Sequence, residues 1–281
     1  MLNSIQQKLK TEEFLRKKKE FLRKKKKDII EHNNKIKIYN NLNVNFNIKS
    51  EYNSIIPLNL YTCWHTQDLP PLMKVNYDLL VKQNPEFNHH FFDENDCIEF
   101  IKTNFETDVL DAYNTLVPCA YKADLFRYCI LYINGGIYMD VKFKCVNNFK
   151  LIALTEKEYF VRDRPKHMIA NGLIVSNPKN HILFKCINKI VQNTKTKFYG
   201  STALSPTGPG LLGSFFSLNE IEKFEFHHSD TKTVLFQEKT YIVYKNTIIL
   251  IPYERYRDEQ KKFQKNKYYN DLYKERKIYK K

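Results

Sequence analysis

The sequence predicts an α/β fold with a mostly parallel central sheet, preceded by a basic helical extension. Short runs of β-branched and aromatic residues alternate with helix-forming stretches from Ile55 onwards, a pattern typical of α/β proteins. Apolar residues make up 42% of the 281-residue chain, which is enough for one sizeable core. A Gly135-Gly136 pair separates a helical stretch from a β-prone run, and glycine permits such a sharp change of direction.

The formal net charge of +15 is concentrated at the two ends of the chain. Residues 1–30 hold 11 Lys/Arg and 4 Asp/Glu, and residues 254–281 hold 11 and 5. Subtracting these from the 46 basic and 31 acidic residues leaves 24 and 22 for residues 31–253, a net charge of +2. Because the body of the chain is nearly neutral and carries no nucleic-acid-binding motif, nucleic acid is not expected as a partner.

Residues 1–34 are predicted to form a basic amphipathic helix. The sequence EFLRKKK at residues 13–19 is repeated at residues 20–26, and apolar residues recur at mostly heptad spacing. Such a helix can remain solvated, pack on a partner helix, or dock through residues 5–30 on an anionic membrane surface. At such a surface each Lys or Arg contributes about 1 kcal/mol. The three alternatives stay open on the sequence alone.

Two features of the sequence bear on where the protein is located. It has no run of about 18 apolar residues to span a bilayer, and its N-terminus lacks the apolar region of a signal peptide. The six cysteines are widely spread with no CxxC pair, so we expect reduced thiols and no zinc or redox site. The expected location is cytoplasmic, with membrane association only through the basic helix.

Three further parts are expected after the basic helix. Residues 35–54 are rich in Asn and Lys and are interpreted as a linker, residues 55–253 as the α/β domain, and residues 254–281 as a basic aromatic tail that packs near the site. In the first half of the domain we predict strands over residues 55–61 and 89–92, and helices over 72–83, 94–104 and 109–116. Asp93 is placed to cap the second of these helices.

Residues 123–146 combine an amphipathic helix, the Gly-Gly pair and a short strand. Asp124 and Arg127 lie three residues apart and so share one face of the helix. Asp140 stands at the exit of the strand. If the helix packs on the strand, the two carboxylates and the guanidinium meet in one place.

The second half of the domain continues the alternation. Strands are predicted over residues 159–162, 172–175, 223–226 and 234–236, helices over 182–192 and 211–216, and a hairpin over 241–251 that turns at Lys245-Asn246. Residues 205–210 form a turn-rich loop whose glycines allow close approach to a ligand or a neighbouring helix.

Two carboxylates and an arginine at a strand end suit a diphosphate-linked sugar donor. Such a donor needs groups that hold the sugar or ribose hydroxyls and positive charge at the leaving phosphates. Carboxylates supply the first through charge-assisted hydrogen bonds. A metal ion, or Lys and Arg side chains, supply the second.

The same residues carry a resemblance to a known family. Residues 123–128 (ADLFRY), 131–132 (LY) and 135–140 (GGIYMD) resemble the central signature of glycosyltransferase family 32, the DXD sugar-binding family. The resemblance covers roughly residues 55–213 through further landmarks, which are Ile56-Pro57, Trp64, Leu69-Pro70-Pro71, Asn84-Pro85, Phe91-Phe92-Asp93, Asn171-Gly172, Ser176-Asn177-Pro178 and Thr207-Gly208-Pro209. It implies a GT-A fold and a retaining transferase of polysaccharide biosynthesis. Such an enzyme moves a hexose-type sugar from a UDP- or GDP-linked donor to a hydroxyl of a glycan acceptor.

The resemblance also implies roles for individual residues. Asp124 and Arg127 would contact the donor sugar, and Tyr138 the nucleotide. Asp140 would contact the ribose and a metal-bound water. Trp64 is either a core residue or a stacking platform for the base.

Asn171 precedes a glycine in a family-like segment. It either shapes a turn or contacts the sugar, and the resemblance favours the sugar contact. The alternative for the whole chain is a catalytically impaired protein of the same fold that binds glycans or nucleotide sugars.

One departure from the family pattern concerns the metal. The second aspartate of the DXD motif, a direct metal ligand in the family, is Lys142 here. Mg²⁺ and Mn²⁺ take oxygen ligands, and a lysine offers none. Three outcomes are open: Lys142 replaces the metal charge at the diphosphate, Asp140 alone holds a metal with waters and phosphates, or activity is lost. We favour the first because one carboxylate holds such metals weakly.

Overall fold

The computed structural model describes residues 2–165, 167–223 and 231–280, and its contacts divide the chain into residues 1–44 and residues 45–281. The first unit is a single helix, α1 (Leu2–Leu42). It continues past the predicted end at residue 34, because no glycine or proline interrupts the sequence before Pro57. A Glu31–Lys35 ion pair of 2.7 Å spans that boundary. The prediction of a linker over residues 35–54 is therefore wrong in its first part.

Residues 45–54 belong to the second unit and are not a free linker either. The Phe46 ring lies edge-on to Phe149, with centroids 5.0 Å apart, and stacks on Tyr244 at 5.7 Å. Lys49 Nζ lies 2.6 Å from a carboxylate oxygen of Glu156. These contacts anchor an Asn-rich segment whose two aromatic residues, Phe46 and Tyr52, pack against the core.

The described part of the second unit contains one sheet, with strand order β2-β1-β3-β6-β5-β7-β8-β9-β4. The strands are β1 (Asn59–Cys63), β2 (Asn88–Phe92), β3 (Gly136–Met139), β4 (Phe143–Cys145), β5 (Tyr159–Arg162), β6 (Ile169–Ser176), β7 (Thr231–Phe236), β8 (Lys239–Tyr244) and β9 (Thr247–Pro252). The helices are α2 (Pro71–Gln83), α3 (Glu94–Asn104), α4 (Thr107–Thr115), α5 (Cys119–Asn134), α6 (His181–Lys195), α7 (Pro209–Gly213), α8 (Leu218–Lys223), α9 (Tyr256–Phe263) and α10 (Tyr269–Lys274). The α/β class is confirmed, and the arrangement fits a GT-A-like fold.

The prediction of a mostly parallel sheet is corrected to a mixed one. In the described chain, β1 pairs in parallel with β2 and β3, and β5 with β7, whereas the other five pairings are antiparallel. The connections explain three of the five antiparallel pairings, since β5 and β6 are joined by a short segment and tight turns join β7, β8 and β9. Short connections permit only antiparallel neighbours. The hairpin at Lys245-Asn246 is confirmed, with both residues at positive φ.

Most predicted elements are found close to their expected bounds. Helix α3 and strand β5 match them residue for residue. The Asp93 cap is confirmed, because its Oδ1 accepts the Asp96 N–H at 2.9 Å. In return, Asp96 Oδ2 accepts the Asp93 N–H at 2.9 Å, which completes a capping box. The strand expected over residues 223–226 is not seen at Lys223, which ends α8, and its remaining residues lie outside the described ones.

The Gly-Gly turn sets how α5 meets β3. Gly135 takes φ +61° and donates its N–H to Leu131 O at 2.9 Å, which ends the helix. Gly136 takes φ +114°, and a Cβ there would lie 2.6 Å from Asn59 O on the neighbouring strand. The alternation of β3 then sends Tyr138 towards the α5 side of the sheet and its neighbours to the other side. Asp140, two residues on, emerges on the α5 side as well.

The C-terminal segment is fixed to the domain through a buried carboxylate. Glu259 of α9, only 8% exposed, accepts the N–H groups of Leu72 and Met73 at 2.8 and 3.0 Å. It also accepts the Tyr253 hydroxyl at 2.8 Å. Because the two amides belong to the first turn of α2, the carboxylate also meets the positive end of that helix dipole. This anchor fixes the position of α9 in the domain.

We expect the variant Glu259→Gln to lower the free energy of unfolding by about 1–3 kcal/mol, because an amide leaves one buried donor without an acceptor. It should also make residues 256–281 more sensitive to protease. Thermal unfolding and limited proteolysis measure both effects. Asp258→Asn is the control, since that neighbouring carboxylate is 65% exposed. Equal stability of the two variants would contradict the anchor.

Candidate functional site

A cavity of about 460 Å³ opens at the carboxyl ends of β1 and β3. This edge of a sheet is where α/β proteins commonly bind ligands. The lining includes all seven residues singled out in the sequence, which are Trp64, Asp124, Arg127, Tyr138, Asp140, Lys142 and Asn171. Residues separated by more than a hundred positions thus meet around one space.

Arg127 lies at the centre of the site and is 4% exposed. Its Nη2 lies 3.3 Å from Asp124 Oδ1, and its Nη1 lies 3.2 Å from Asp140 Oδ1. Nη1 also donates to the Asn171 carbonyl, and the guanidinium lies 4.5 Å from the centre of the Tyr138 ring. Burial alone would lower the pKa of Arg127, but Tyr138 and the two carboxylates raise it, so the side chain stays charged.

Asp124 is held by neutral donors as well as by the arginine. Its Oδ1 accepts the Asn171 side-chain amide at 2.8 Å, and its Oδ2 accepts the Thr207 hydroxyl at 2.7 Å. Burial raises the pKa of Asp124 against the opposing effects of Arg127, Thr207 and Asn171. The contact with Thr207 was not foreseen, because the loop that carries it is far away in sequence. Gly208 leaves room for the carboxylate, since a Cβ there would lie 3.1 Å from Asp124 Oδ2.

Asp140 is surrounded by cations. Its Oδ2 accepts the Lys142 ammonium at 2.8 Å, while its Oδ1 faces Arg127. Burial raises its pKa, but the charges of Lys142, Arg127 and Arg257 outweigh burial and hold the pKa below its usual value. The backbone fixes the residue as well, because the Asp140 N–H donates to Gly172 O at 2.8 Å. Asp140 therefore remains an anion at neutral pH.

The donor set in this cavity does not fit a divalent metal ion. Both carboxylate oxygens of Asp140 face cationic side chains, and Lys142 occupies the position of the second motif carboxylate. Within residues 2–165, 167–223 and 231–280, no three His, Cys, Asp or Glu side chains are grouped so that they could hold a metal. Mg²⁺ and Mn²⁺ need oxygen ligands. The prediction of Asp140 as a metal ligand receives no support from this geometry.

Trp64 and Tyr138 stand in different environments. The indole of Trp64 is partly buried beside Met73, and its Nε1 has no hydrogen-bond partner among the described residues. The Nε1 atom itself is buried, so the side chain lines the cavity through other atoms of its ring. Tyr138 is 1% exposed, and its hydroxyl lies 3.2 Å from Cys63 Sγ. Its ring supports Arg127 from beneath.

The C-terminal segment contributes residues that the sequence did not single out. Tyr256, Arg257 and Gln260 of α9 line the cavity, as do Tyr268 and Tyr269. The sequence predicted that the basic, aromatic residues 254–281 pack near the site, but it named none of them as a site residue. The composition shows that the segment can contribute charged and aromatic side chains to a site. It does not show which of these residues line the cavity.

Comparison with known proteins identifies the central region. Residues 70–160 match the family model of the glycosyltransferase sugar-binding region containing DXD motif. The match includes Asp124, Arg127 and Asp140. The resemblance of this region to the DXD sugar-binding family of glycosyltransferases is therefore confirmed.

Several curated proteins are similar to this chain over about half of its length. An uncharacterized glycosyltransferase of Acanthamoeba polyphaga mimivirus is 31% identical over 156 residues, covering 53% of this chain and 61% of that protein. The mannosyl phosphorylinositol ceramide synthase of Saccharomyces cerevisiae is 25% identical, covering 56% and 41%. Inositol phosphoceramide mannosyltransferase 3 of Schizosaccharomyces pombe is 25% identical, covering 62% and 48%. The chain thus spans about half the length of these relatives.

Among solved structures, the PaToxG glycosyltransferase aligns with a TM-score of 0.46 and 18% sequence identity. The alignment covers 59% of this chain and 69% of that one.

We expect the variant Gly172→Ala to displace Asp140 without unfolding the protein. A Cβ at this position would lie 2.8 Å from Asp140 Oδ2, and alanine is otherwise favoured over glycine in a strand. Titration calorimetry with UDP- and GDP-sugars should show affinity about tenfold or more below wild type, the effect of one charge-assisted hydrogen bond. The melting temperature should fall modestly, because the Cβ would also lie 3.1 Å from the buried Phe143 ring and the displaced carboxylate would weaken its pair with Arg127. Wild-type affinity would show that the position of Asp140 is unimportant for binding.

Proposed function

We propose that this chain is a retaining glycosyltransferase. It moves a hexose-type sugar from a UDP- or GDP-linked donor to a hydroxyl of a glycan or glycoconjugate acceptor. The observation that carries the proposal is the Asp124–Arg127–Asp140 cluster, which lies in a cavity within the family-matched region. Because two of the relatives are named as a mannosyl phosphorylinositol ceramide synthase and an inositol phosphoceramide mannosyltransferase, a mannosyl donor is the first to test.

The residues of the cavity suit separate parts of such a donor. Asp124 and Arg127 lie deepest, where they can hold the hydroxyls of the sugar, and Asn171 lies beside them. Asp140, with 22% of its side chain exposed, is an anionic acceptor for ribose hydroxyls. Trp64 lines the cavity and can offer a face of its ring to the base. Tyr138 acts through Arg127, which it supports.

The proposed reaction exchanges one bond at the anomeric carbon for another. The bond from that carbon to the phosphate oxygen breaks, and its electron pair stays with the phosphate. A bond to the acceptor oxygen forms on the same face, and the acceptor proton passes to a phosphate oxygen. This front-face route needs no protein nucleophile, which agrees with a site where Asp124 and Asp140 are both held by other side chains. The protein then acts by positioning the reactants and by stabilising the departing diphosphate.

The first test measures nucleoside diphosphate released from a panel of UDP- and GDP-sugars, with a glycan or inositol-containing lipid acceptor. We expect Asp140→Asn to lower kcat/KM about 10- to 100-fold, because it removes charge-assisted hydrogen bonds. Asp78→Asn serves as the control, because that carboxylate is exposed on α2. A near-wild-type rate for Asp140→Asn would contradict the assignment.

A second candidate function is a binding protein that retains the fold without catalysis. The observation in its favour is Lys142, which stands where the family has a metal-binding carboxylate. This alternative predicts donor affinity without release of nucleoside diphosphate from any donor in the panel. The same assay therefore separates the two functions.

We also propose that α1 makes peripheral contact with anionic membranes through residues 5–30. Its apolar side chains Phe21, Leu22 and Ile29 are more than half exposed, at 65%, 53% and 52%. They lie among lysines and arginines, the combination that binds anionic lipid surfaces. None of the helices in the described residues is both long enough and apolar enough to cross a bilayer.

Vesicle co-sedimentation tests this contact. Reversing the charges of Lys24, Lys25 and Lys26 to glutamate should weaken binding to phosphatidylserine vesicles about 100-fold or more, at about 1 kcal/mol for each charge near the surface. The double variant Lys261→Glu/Lys262→Glu changes exposed lysines elsewhere and should bind as wild type. Equal sedimentation of the α1 variant and wild type would refute the proposal.

A further inference from the structure

The positive charge in the cavity comes from side chains that reach it from different parts of the fold. Lys142 follows β3, and Arg257 lies on α9. Both line the cavity that holds Asp124 and Asp140. A diphosphate bound in this cavity would therefore meet the positive charges of Lys142 and Arg257.

Lys142 is oriented by the carboxylate beside it. Its ammonium lies 2.8 Å from Asp140 Oδ2 and 4.8 Å from the centre of the Phe143 ring. A lysine ammonium has three N–H donors. One of them faces Asp140, so two remain for a phosphate oxygen in the cavity. The side chain is 26% exposed, which leaves it accessible to a ligand.

Arg257 is a second cation with donors to spare. Its guanidinium lies 5.5 Å from the ring centre of Tyr256 and 5.6 Å from that of Tyr268. One of its nitrogens donates to Gln260 Oε1 at 2.5 Å. It forms no ion pair with any carboxylate in the part of the chain that the structure describes. The anchoring of α9 through Glu259 keeps it at the cavity.

Lys142 and Arg257 supply positive charge that a metal ion, held by a second motif carboxylate, would otherwise supply. Both carboxylate oxygens of Asp140 contact cationic side chains, and the second motif position, residue 142, carries an ammonium group. The charged side chains that line the cavity are five positive and four negative ones, a net of +1: Lys122, Arg127, Lys142, Arg164 and Arg257 against Glu94, Asp124, Asp140 and Asp163. A metal ion added to this cavity would meet an excess of positive charge, whereas a diphosphate would meet a complementary one.

We propose that the side chains of Lys142 and Arg257, rather than a divalent metal ion, neutralise the diphosphate of the donor. The inference rests on the proposed function and specifies how its site handles the leaving group. The two cations stabilise the negative charge that remains on the phosphates when the bond to the sugar breaks. The exchange of bonds is the one already described, and no oxidant, reductant or further co-reactant takes part.

The first experiment measures binding of GDP and UDP by titration calorimetry in EDTA and in Mn²⁺. We expect wild type to bind one of the two nucleotides equally well in both conditions. Lys142→Ala and Arg257→Ala should each weaken that binding about 10- to 100-fold in EDTA, the effect of losing a hydrogen bond to a charged group. Lys144→Ala and Lys261→Ala change lysines outside the cavity lining and should bind as wild type.

The variant Lys142→Asp restores the DXD pattern and provides the converse test. We expect it to lose binding in EDTA and to recover it in Mn²⁺, because a second carboxylate can now hold the metal. Thermal unfolding of each variant shows that the fold is retained. Arg257 is exposed, so its replacement leaves the core intact.

The outcomes separate this inference from the proposed function. Wild-type binding that disappears in EDTA and returns in Mn²⁺ would overturn the cation proposal while leaving a glycosyltransferase. Unchanged affinity of both alanine variants would also overturn it. Absence of binding to any nucleotide or nucleotide sugar, with and without metal, would overturn the proposed function itself.

Discussion

The buried guanidinium of Arg127 is the constraint on which the site depends. Removing such a charge from water costs several kcal/mol, and it persists only if its surroundings compensate. Asp124 compensates from the same helix and Asp140 from the end of β3, while Tyr138 presents its ring. These partners come from α5 and from the strand, so the ion pairs fix the distance between the two elements. The residues proposed to recognise the donor are thus also part of what joins helix α5 to the sheet.

The two carboxylates share one arginine but differ in protonation behaviour. Asp124 lies among neutral donors, and burial raises its pKa. Asp140 lies towards the opening, where burial is outweighed by Lys142, Arg127 and Arg257, so its pKa falls. Environment rather than residue type sets this difference. Asp140 is consequently the firmly anionic acceptor of the pair, and Asp124 is the more buried, positioning partner.

Local rules in the sequence predicted much of the central region. The three-residue spacing of Asp124 and Arg127, the Gly135-Gly136 turn and the Asp93 cap depend on neighbours within one or two turns, so short-range patterns suffice for them. Strand pairing depends on connection length and on distant partners, and the expectation of a mostly parallel sheet was wrong for that reason. The contacts of Thr207 with Asp124 and of Glu259 with α2 join residues 83 and more positions apart. A periodic pattern in the sequence cannot predict contacts between residues so far apart.

The place of α9 in the site has a consequence for how the protein becomes functional during synthesis. The ribosome produces Asp124, Arg127 and Asp140 long before Arg257 and Tyr268. A nascent chain released from the tunnel up to β9 holds the carboxylates and the central arginine, yet lacks the outer cation and the aromatic wall of the cavity. Until Glu259 binds the first turn of α2, the cavity of the emerging domain lacks the residues that α9 contributes to its lining. Under the proposed function, recognition of the donor therefore requires the polypeptide to be complete through residue 269.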